Sequence, residues 1–335
     1  MPHEETIPKL TKKDFETSQE PRWCPGCGDY SILTQVRKVL PQLGIPKENI
    51  VFVAGIGCSS RFPYYVDTYG IHTIHGRALP IASGIKLNNP QLSVWVTTGD
   101  GDGLSIGGNH LIHLLRRNID LNIILFNNRI YGLTKGQYSP TSETGKITRS
   151  TPNGSIDRPI NPLEIALAAG ATFVASTLDR DPVHMIEILK RAAAHKGTSF
   201  VEVYQNCNIF NDGAFFHLTE KGQKEENVVF MDHNQPLLFG KNKDKSLQVE
   251  GTNVKIVESE NIQRTVYDEK NLILATIMAG IAYNDDLPTP IGVFRDVEAV
   301  TYEEELQKQI EIEIRKSGRG SLKDLLYSGD VWHVD

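Results

Sequence analysis

The chain has 335 residues, enough for one large domain or two modest ones. Its 39% hydrophobic and 23% charged content is that of an ordinary globular protein, and a net charge of −6 argues against a dedicated nucleic-acid binder. No stretch approaches the roughly 20 apolar residues that span a bilayer, and the polar start, MPHEETIPKLTKKDFETSQE, has no apolar signal core, so no membrane association and a cytoplasmic location are expected.

Residues 1–22 are polar and contain prolines, and read as an extended arm. Residues 30–43 carry Ile32, Leu33, Val36, Val39, Leu40 and Leu43 at helical spacing, with Gly28 and Asp29 as the cap. Residues 50–54 are a continuous apolar run, the mark of a buried parallel strand. The alternation then repeats. Strands are expected at 71–74, 93–97, 121–126, 172–175 and 199–204. Helices are expected at 78–87, 106–117, 162–169 and 182–195. Strands alternating with helices at this spacing predict an α/β fold with a doubly wound, mostly parallel sheet. Residues 129–161 fit neither element and are rich in Gly, Thr, Ser and Pro. A loop that long inside a compact domain points to function or disorder. Past residue 216 the alternation breaks up. Residues 221–268 read as charged and irregular, followed by helices near 269–282 and 302–316. The expected organisation is an arm (1–22), a cofactor-binding domain (23–215) and a C-terminal extension (216–335) packed on it.

Four cysteines are present: Cys24, Cys27, Cys58 and Cys207. So few in a chain of this kind read as ligands or catalytic groups sooner than as disulfides. The bland reading is that they are small core residues. Trp-Cys-Pro-Gly-Cys-Gly around the first two, and Gly-Ile-Gly before Cys58, are loop contexts and speak against it. Four thiolates suit a structural zinc or a 4Fe–4S cluster equally well by spacing. A thioredoxin-like dithiol is a further reading of Cys24 and Cys27, but such pairs follow a strand, and this one follows a polar arm.

The strand at 93–97 runs into Thr98-Gly99-Asp100-Gly101-Asp102-Gly103, with a helix next. Glycines and a helix start suit a phosphate. A carboxylate beside a diphosphate repels it unless a divalent cation lies between, and Mg²⁺ combines one or two carboxylates with phosphate oxygens. The following strand ends in Asn127-Asn128-Arg129-Ile130, where a side-chain carbonyl offers a second oxygen ligand at a neighbouring strand end. A dinucleotide fingerprint is not met, because Leu104 stands where a third glycine is needed, and no P-loop is present. A structural turn with solvated aspartates is the plain alternative. The pairing resembles the thiamine-diphosphate motif, which implies that the side chains of Asp100 and Asn128 and the carbonyl of Ile130 hold Mg²⁺. Thiamine chemistry leaves an electron-rich intermediate after decarboxylation of a 2-oxo acid, and a nearby one-electron acceptor gives the four cysteines a role that zinc does not.

Taken together, these blocks make the chain resemble the β subunits of 2-oxoacid:ferredoxin oxidoreductases over roughly residues 20–240, with wording closest to the bacterial 2-oxoglutarate branch. The blocks are WCPGCGDY at 23–30, GIGCSSRFPYY at 55–65, HGRALPIASG at 75–84, TGDGDGLSIGGNH at 98–110 and FNNRIYGLTKGQYSPTSE at 126–143. The resemblance implies a thiamine-diphosphate-binding fold. It implies that Cys24, Cys27, Cys58 and Cys207 hold one 4Fe–4S cluster. Ile56, Gly57, Cys58 and Ser59 would line thiamine pyrophosphate, with His75 near it. Gly101, Asp102, Gly132 and Leu133 would touch the diphosphate. Arg61 would meet a substrate carboxylate, and Lys135 would lie in the loop over the active site. Without the resemblance, His75 is as well read as a buried hydrogen-bonded histidine, and Arg61 and Lys135 as surface charges.

The implied reaction is oxidative decarboxylation of 2-oxoglutarate to succinyl-CoA. Coenzyme A takes the acyl group, and electrons pass through the cluster to ferredoxin. The motifs show no carboxylate for the cofactor's aminopyrimidine, and the family supplies it from an α subunit, so an αβ or α2β2 assembly is expected. Pyruvate is the alternative substrate. The rival readings are a non-oxidative thiamine-dependent decarboxylase, without a cluster, and a zinc protein with a degenerate pocket.

Overall fold

A computed structural model describes residues 10–261, 263–284 and 286–334. Part of the expected arm, residues 1–9, lies outside the described residues. The strands are β1 (Ile50–Ala54), β2 (Tyr69–His72), β3 (Ser93–Gly99), β4 (Leu121–Asn127), β5 (Phe173–Leu178), β6 (Thr198–Tyr204), β7 (Val228–Met231), β8 (Leu238–Phe239), β9 (Lys245–Glu250), β10 (Asn253–Glu258) and β11 (Thr289–Asp296). The helices are α1 (Asp29–Val39), α2 (Phe62–Tyr65), α3 (Ala78–Asn88), α4 (Asp100–Leu104), α5 (Gly108–Arg117), α6 (Pro162–Ala168), α7 (Pro182–Ala194), α8 (Phe216–Thr219), α9 (Lys224–Asn227), α10 (Leu272–Ile281), α11 (Tyr302–Ser317) and α12 (Leu322–Leu326). None is long and apolar enough to cross a membrane, among the described residues.

Eight strands form one sheet in the order β2-β1-β3-β4-β6-β5-β11-β7. The first six are mutually parallel, and β11 runs antiparallel to β5. Side chains alternate between the faces, so a strand buried on both sides reads as an unbroken apolar run. In β1, Ile50 and Phe52 enter the layer under α1 and α7, while Val51 and Val53 enter the layer under α3, α5, α6 and α10. Several helices start at a capping side chain. Asn161, Asp181 and Asn271 accept backbone N–H groups at the starts of α6, α7 and α10.

Most expected elements lie within a residue or two of their observed places, and three differences matter. The helix expected at 106–117 is α5, and a short helix that was not expected, α4, precedes it. The turn around Ser105–Gly107 separates a short α4, holding the aspartates, from α5. The stretch 221–268, expected to be irregular, carries β7 and a small antiparallel sheet of β8, β9 and β10. β11 was not foreseen, and with β7 it extends the main sheet, so the segment after residue 216 shares the core of the residues before it. Residues 129–161 hold no helix or strand, as expected. The arm is anchored by Phe15, which is buried.

Phe52 tests this core. It is fully buried, stacked on Trp95 with centroids 6.1 Å apart, and 5.9 Å from Phe62. Phe52→Ala is expected to cost about 3–5 kcal/mol in chemical denaturation. An unchanged midpoint would show that β1 is not a core strand.

Candidate functional site

Segments that leave the carboxyl ends of β1, β3, β4 and β6 wall two adjoining cavities. The first is lined by residues 56–59, His75, residues 99–102, Asn128 and residues 130–134. Every residue expected to touch thiamine pyrophosphate or Mg²⁺ is on this wall. The second is lined by Cys24, Cys27, Cys58 and Cys207, with Arg61 and Lys135 at the same cavity. Asp29, Cys58, Asn128, Gly132 and Leu133 line both.

Asp100 opens α4 and is buried. Its Oδ2 accepts from Ser139 Oγ at 2.5 Å and Thr141 Oγ1 at 2.6 Å. Burial pushes its carboxyl above the ordinary range although those hydroxyls oppose the shift. A buried carboxylate with only neutral partners invites a cation. Asn128 brings an amide oxygen to the same cavity, and a carboxylate with an amide oxygen is a hard-cation donor set. The preceding Asn127 has a different task. Its Nδ2 donates to Glu202 Oε1 at 2.6 Å, and its Oδ1 accepts from Thr141 Oγ1 at 2.9 Å. The pair therefore splits: Asn127 anchors the loop from below and Asn128 faces the cavity. Burial pushes Glu202 up to about 7, and Tyr283, from the chain after α10, donates to it at 2.7 Å.

Asp102 is 2% exposed and is a brace. Its carboxylate accepts from the backbone N–H of Ile56 at 3.1 Å and of Gly76 at 2.7 Å, and from Thr98 Oγ1 at 2.7 Å. His75 Nδ1 stands 2.6 Å from it. One buried carboxylate thus ties the loops after β1 and β2 to the end of β3. Gly55 makes room for it, since a Cβ there would come within 1.9 Å of Asp102 Oδ2. With its side chain so engaged, Asp102 has its backbone left to offer a diphosphate. His75 keeps Nε2 for the cavity, because Nδ1 is turned to the carboxylate.

The cysteines are free thiols. Trp23 Nε1 donates to the carbonyl of Cys58 at 2.7 Å and so holds the loop of Cys58 against that of Cys24 and Cys27. A Cβ on Gly132 would lie 3.7 Å from the sulfurs of both Cys58 and Cys207, so this position closes the cavity without crowding them. Burial pushes Cys58 up to about 12, and pushes Cys27 up further. Such thiols ionise in place when a metal supplies the compensating charge. Among the described residues no three His, Cys, Asp or Glu side chains stand close enough to grip a single ion, so the four thiols share a cavity without converging on one point. Arg61 lies on the cysteine side, where its guanidinium donates to the carbonyl of Arg22 at 2.6 Å. Lys135 sits at a tight turn with φ of 74°.

Sequence reasoning missed Asp29, Ser139, Thr141 and Gln205. Asp29 is buried between the cavities, its Oδ2 has no hydrogen-bond partner, and burial pushes it up to about 7. The Ser59 hydroxyl is likewise buried without a partner on the first cavity's wall. The Tyr-Ser-Pro-Thr-Ser run after the asparagine pair carried the signal for Ser139 and Thr141, because hydroxyls in a functional loop need an acceptor. Gln205 carried no signal beyond its nearness to Cys207.

Comparisons with known proteins follow the same lines. Residues 55–203 match the thiamine pyrophosphate enzyme family, C-terminal TPP-binding domain. The chain is 50% identical to 2-oxoglutarate oxidoreductase subunit KorB of Mycobacterium tuberculosis over 96% of this chain and 88% of that one. It is 38% identical to 2-oxoglutarate synthase subunit KorB of Methanothermobacter thermautotrophicus over 79% of this chain and 93% of that one. A solved 2-oxoglutarate:ferredoxin oxidoreductase from Magnetococcus marinus, with 2-oxoglutarate, coenzyme A and succinyl-CoA bound, superposes with a TM-score of 0.77 at 32% identity, covering 97% of each chain. The chain belongs to the β subunits of the 2-oxoacid:ferredoxin oxidoreductases and stands with their 2-oxoglutarate branch.

Proposed function

We propose that the chain is the β subunit of a 2-oxoglutarate:ferredoxin oxidoreductase that holds thiamine pyrophosphate through Mg²⁺ and one 4Fe–4S cluster. It would work with an α subunit, coenzyme A and ferredoxin. One observation carries the reading: a cavity lined by four thiols shares a wall with a cavity lined by an acid–amide pair, and the shared wall includes Cys58 and Asn128. When bound, the cofactor supplies the nucleophilic carbon that lets a 2-oxo acid lose CO2, and the cluster supplies a one-electron acceptor beside it.

The chain's own residues hold and orient. Asp100 and Asn128, with the Ile130 carbonyl, would hold the metal. The backbone at Gly101 and Asp102, and at Gly132 and Leu133, would meet the diphosphate. Cys24, Cys27, Cys58 and Cys207 would hold the cluster. His75, its Nδ1 held by Asp102, leaves Nε2 free for the first cavity. Arg61 and Lys135 place positive charge at the rim of the second cavity. Of the carboxylates on the first cavity's wall, Asp100 is assigned to the metal, Asp102 is engaged by chain donors, and Asp29 is buried toward the cysteine loop. That supports an α subunit as the source of the carboxylate at the aminopyrimidine. The direct test is dye reduction by the reconstituted α/β complex across 2-oxo acids: 2-oxoglutarate is expected to be preferred, and a preference for pyruvate would move the enzyme to the other branch.

Three substitutions separate the parts. In anaerobically purified Cys24→Ala the 4Fe–4S absorbance is expected to fall or vanish, and a full spectrum with full activity contradicts the assignment. Asp100→Ala is expected to abolish Mg²⁺-dependent cofactor binding in calorimetry, since the diphosphate then lacks its bridging cation, and unchanged affinity would refute the role. For Arg61→Ala, loss of one charged hydrogen bond to substrate, about 1.5–3 kcal/mol, lowers kcat/KM for 2-oxoglutarate roughly 10–150-fold. Equal loss with pyruvate identifies the shared carboxylate as its partner, and no loss with any substrate makes Arg61 a surface charge.

A further inference from the structure

We infer that Gln205 is a positioning residue that couples the two centres: one side of its amide orients the metal ligand Asn128, and the other donates to the sulfur of Cys27. The inference rests on the reading that these residues hold Mg²⁺ and a cluster.

Gln205 follows β6 and is 1% exposed. Its backbone N–H donates to the carbonyl of Asn127 at 2.9 Å, which ties it to the end of β4. Its Nε2 lies 2.7 Å from the carbonyl of Asn206 and 3.3 Å from Cys27 Sγ. Its Oε1 lies 2.8 Å from Asn128 Nδ2. The order of donors here is forced. A backbone carbonyl only accepts, and a ligating thiolate only accepts, so the NH2 of Gln205 must face both. Its oxygen must then face Asn128, which must answer with its own NH2. The oxygen of Asn128 is thereby turned the other way, toward the Ile130 backbone N–H at 3.2 Å and the cavity. An amide nitrogen has no lone pair to give a metal, so an Asn128 free to flip would be a ligand only part of the time. One backbone carbonyl therefore fixes, through two amides, which atom meets the cation.

The second arm acts on the sulfur. Reduction adds negative charge to a cluster and its thiolates, and an N–H donated to a ligating sulfur stabilises that charge, so the hydrogen bond raises the reduction potential. Metal site and cluster thus lie one side chain apart, held by the same amide.

The test uses the anaerobic α/β holoenzyme carrying Gln205→Met or Gln205→Glu, read by Mg²⁺ titration of cofactor binding and by redox titration of the cluster. Methionine fills the space and removes both arms. It is expected to weaken Mg²⁺ roughly 10–100-fold, the usual cost of losing an outer-shell partner, and to make the cluster potential more negative. Glutamate keeps the acceptor that faces Asn128 and loses the donor to Cys27. It is expected to leave Mg²⁺ affinity near that of the unmodified enzyme while the potential still falls. Methionine with both readouts unchanged overturns the inference, as does glutamate that weakens Mg²⁺ as much as methionine does. An unmodified holoenzyme without iron and sulfide overturns the underlying reading as well, and that outcome is seen before any variant is made.

Discussion

In the register of the main sheet, Gly99 at the end of β3 lies beside Phe126 of β4, and Asn127 lies beside Tyr204 of β6. Parallel strands in register end together, so the segments that follow them leave the sheet side by side at one edge. That edge is where ligands bind in open α/β sheets. Here the departing segments are the Gly-Asp-Gly turn, the asparagine pair and the stretch leading to Cys207. The end of β1, beside Thr97 of β3, adds the loop with Cys58. Chemistry from segments more than 100 residues apart in sequence meets because four apolar strands pair in one register.

At that edge the buried carboxylates divide the work according to what surrounds them. Asp102 is surrounded by donors from its own chain and acts as a structural pin. Asp100 has two hydroxyls and is pushed upward by burial, the condition a bound cation relieves. Glu202 lies beneath, holding Asn127 and Tyr283, and so links the segment after α10 to the floor of the site. Residues of one chemical type thus serve as pin, metal-ligand candidate and foundation, and their hydrogen-bond partners tell them apart.

Much of this was legible in the sequence. Strand-like runs of four to six residues located six strands of the main sheet, and the cysteine loops and the paired aspartate and asparagine located the ligand candidates. Three things were hidden. β11 was missed because its Pro290 and Gly292 break a strand-like pattern, and its antiparallel pairing is a long-range choice. The bracing role of the Asp102 side chain was hidden because nothing local says that Ile56 and Gly76 donate to it. Gln205 was invisible because an amide that bridges two partners from distant segments has no motif of its own. What periodicity cannot give is the partner list of a buried polar group, and that list assigns the roles here.

The central claim is that the thiol-lined cavity and the cofactor cavity form one electron-transfer unit across the wall made by Cys58 and Asn128. The measurement closest to it is the electron paramagnetic resonance and visible spectrum of the anaerobic α/β complex, loaded with thiamine pyrophosphate and Mg²⁺, after 2-oxoglutarate is added without ferredoxin. The account predicts that the 4Fe–4S absorbance bleaches and a reduced-cluster signal appears, and that neither happens when Mg²⁺ is withheld. A complex that carries zinc in place of iron, or a cluster that stays oxidised while substrate is decarboxylated, would contradict it.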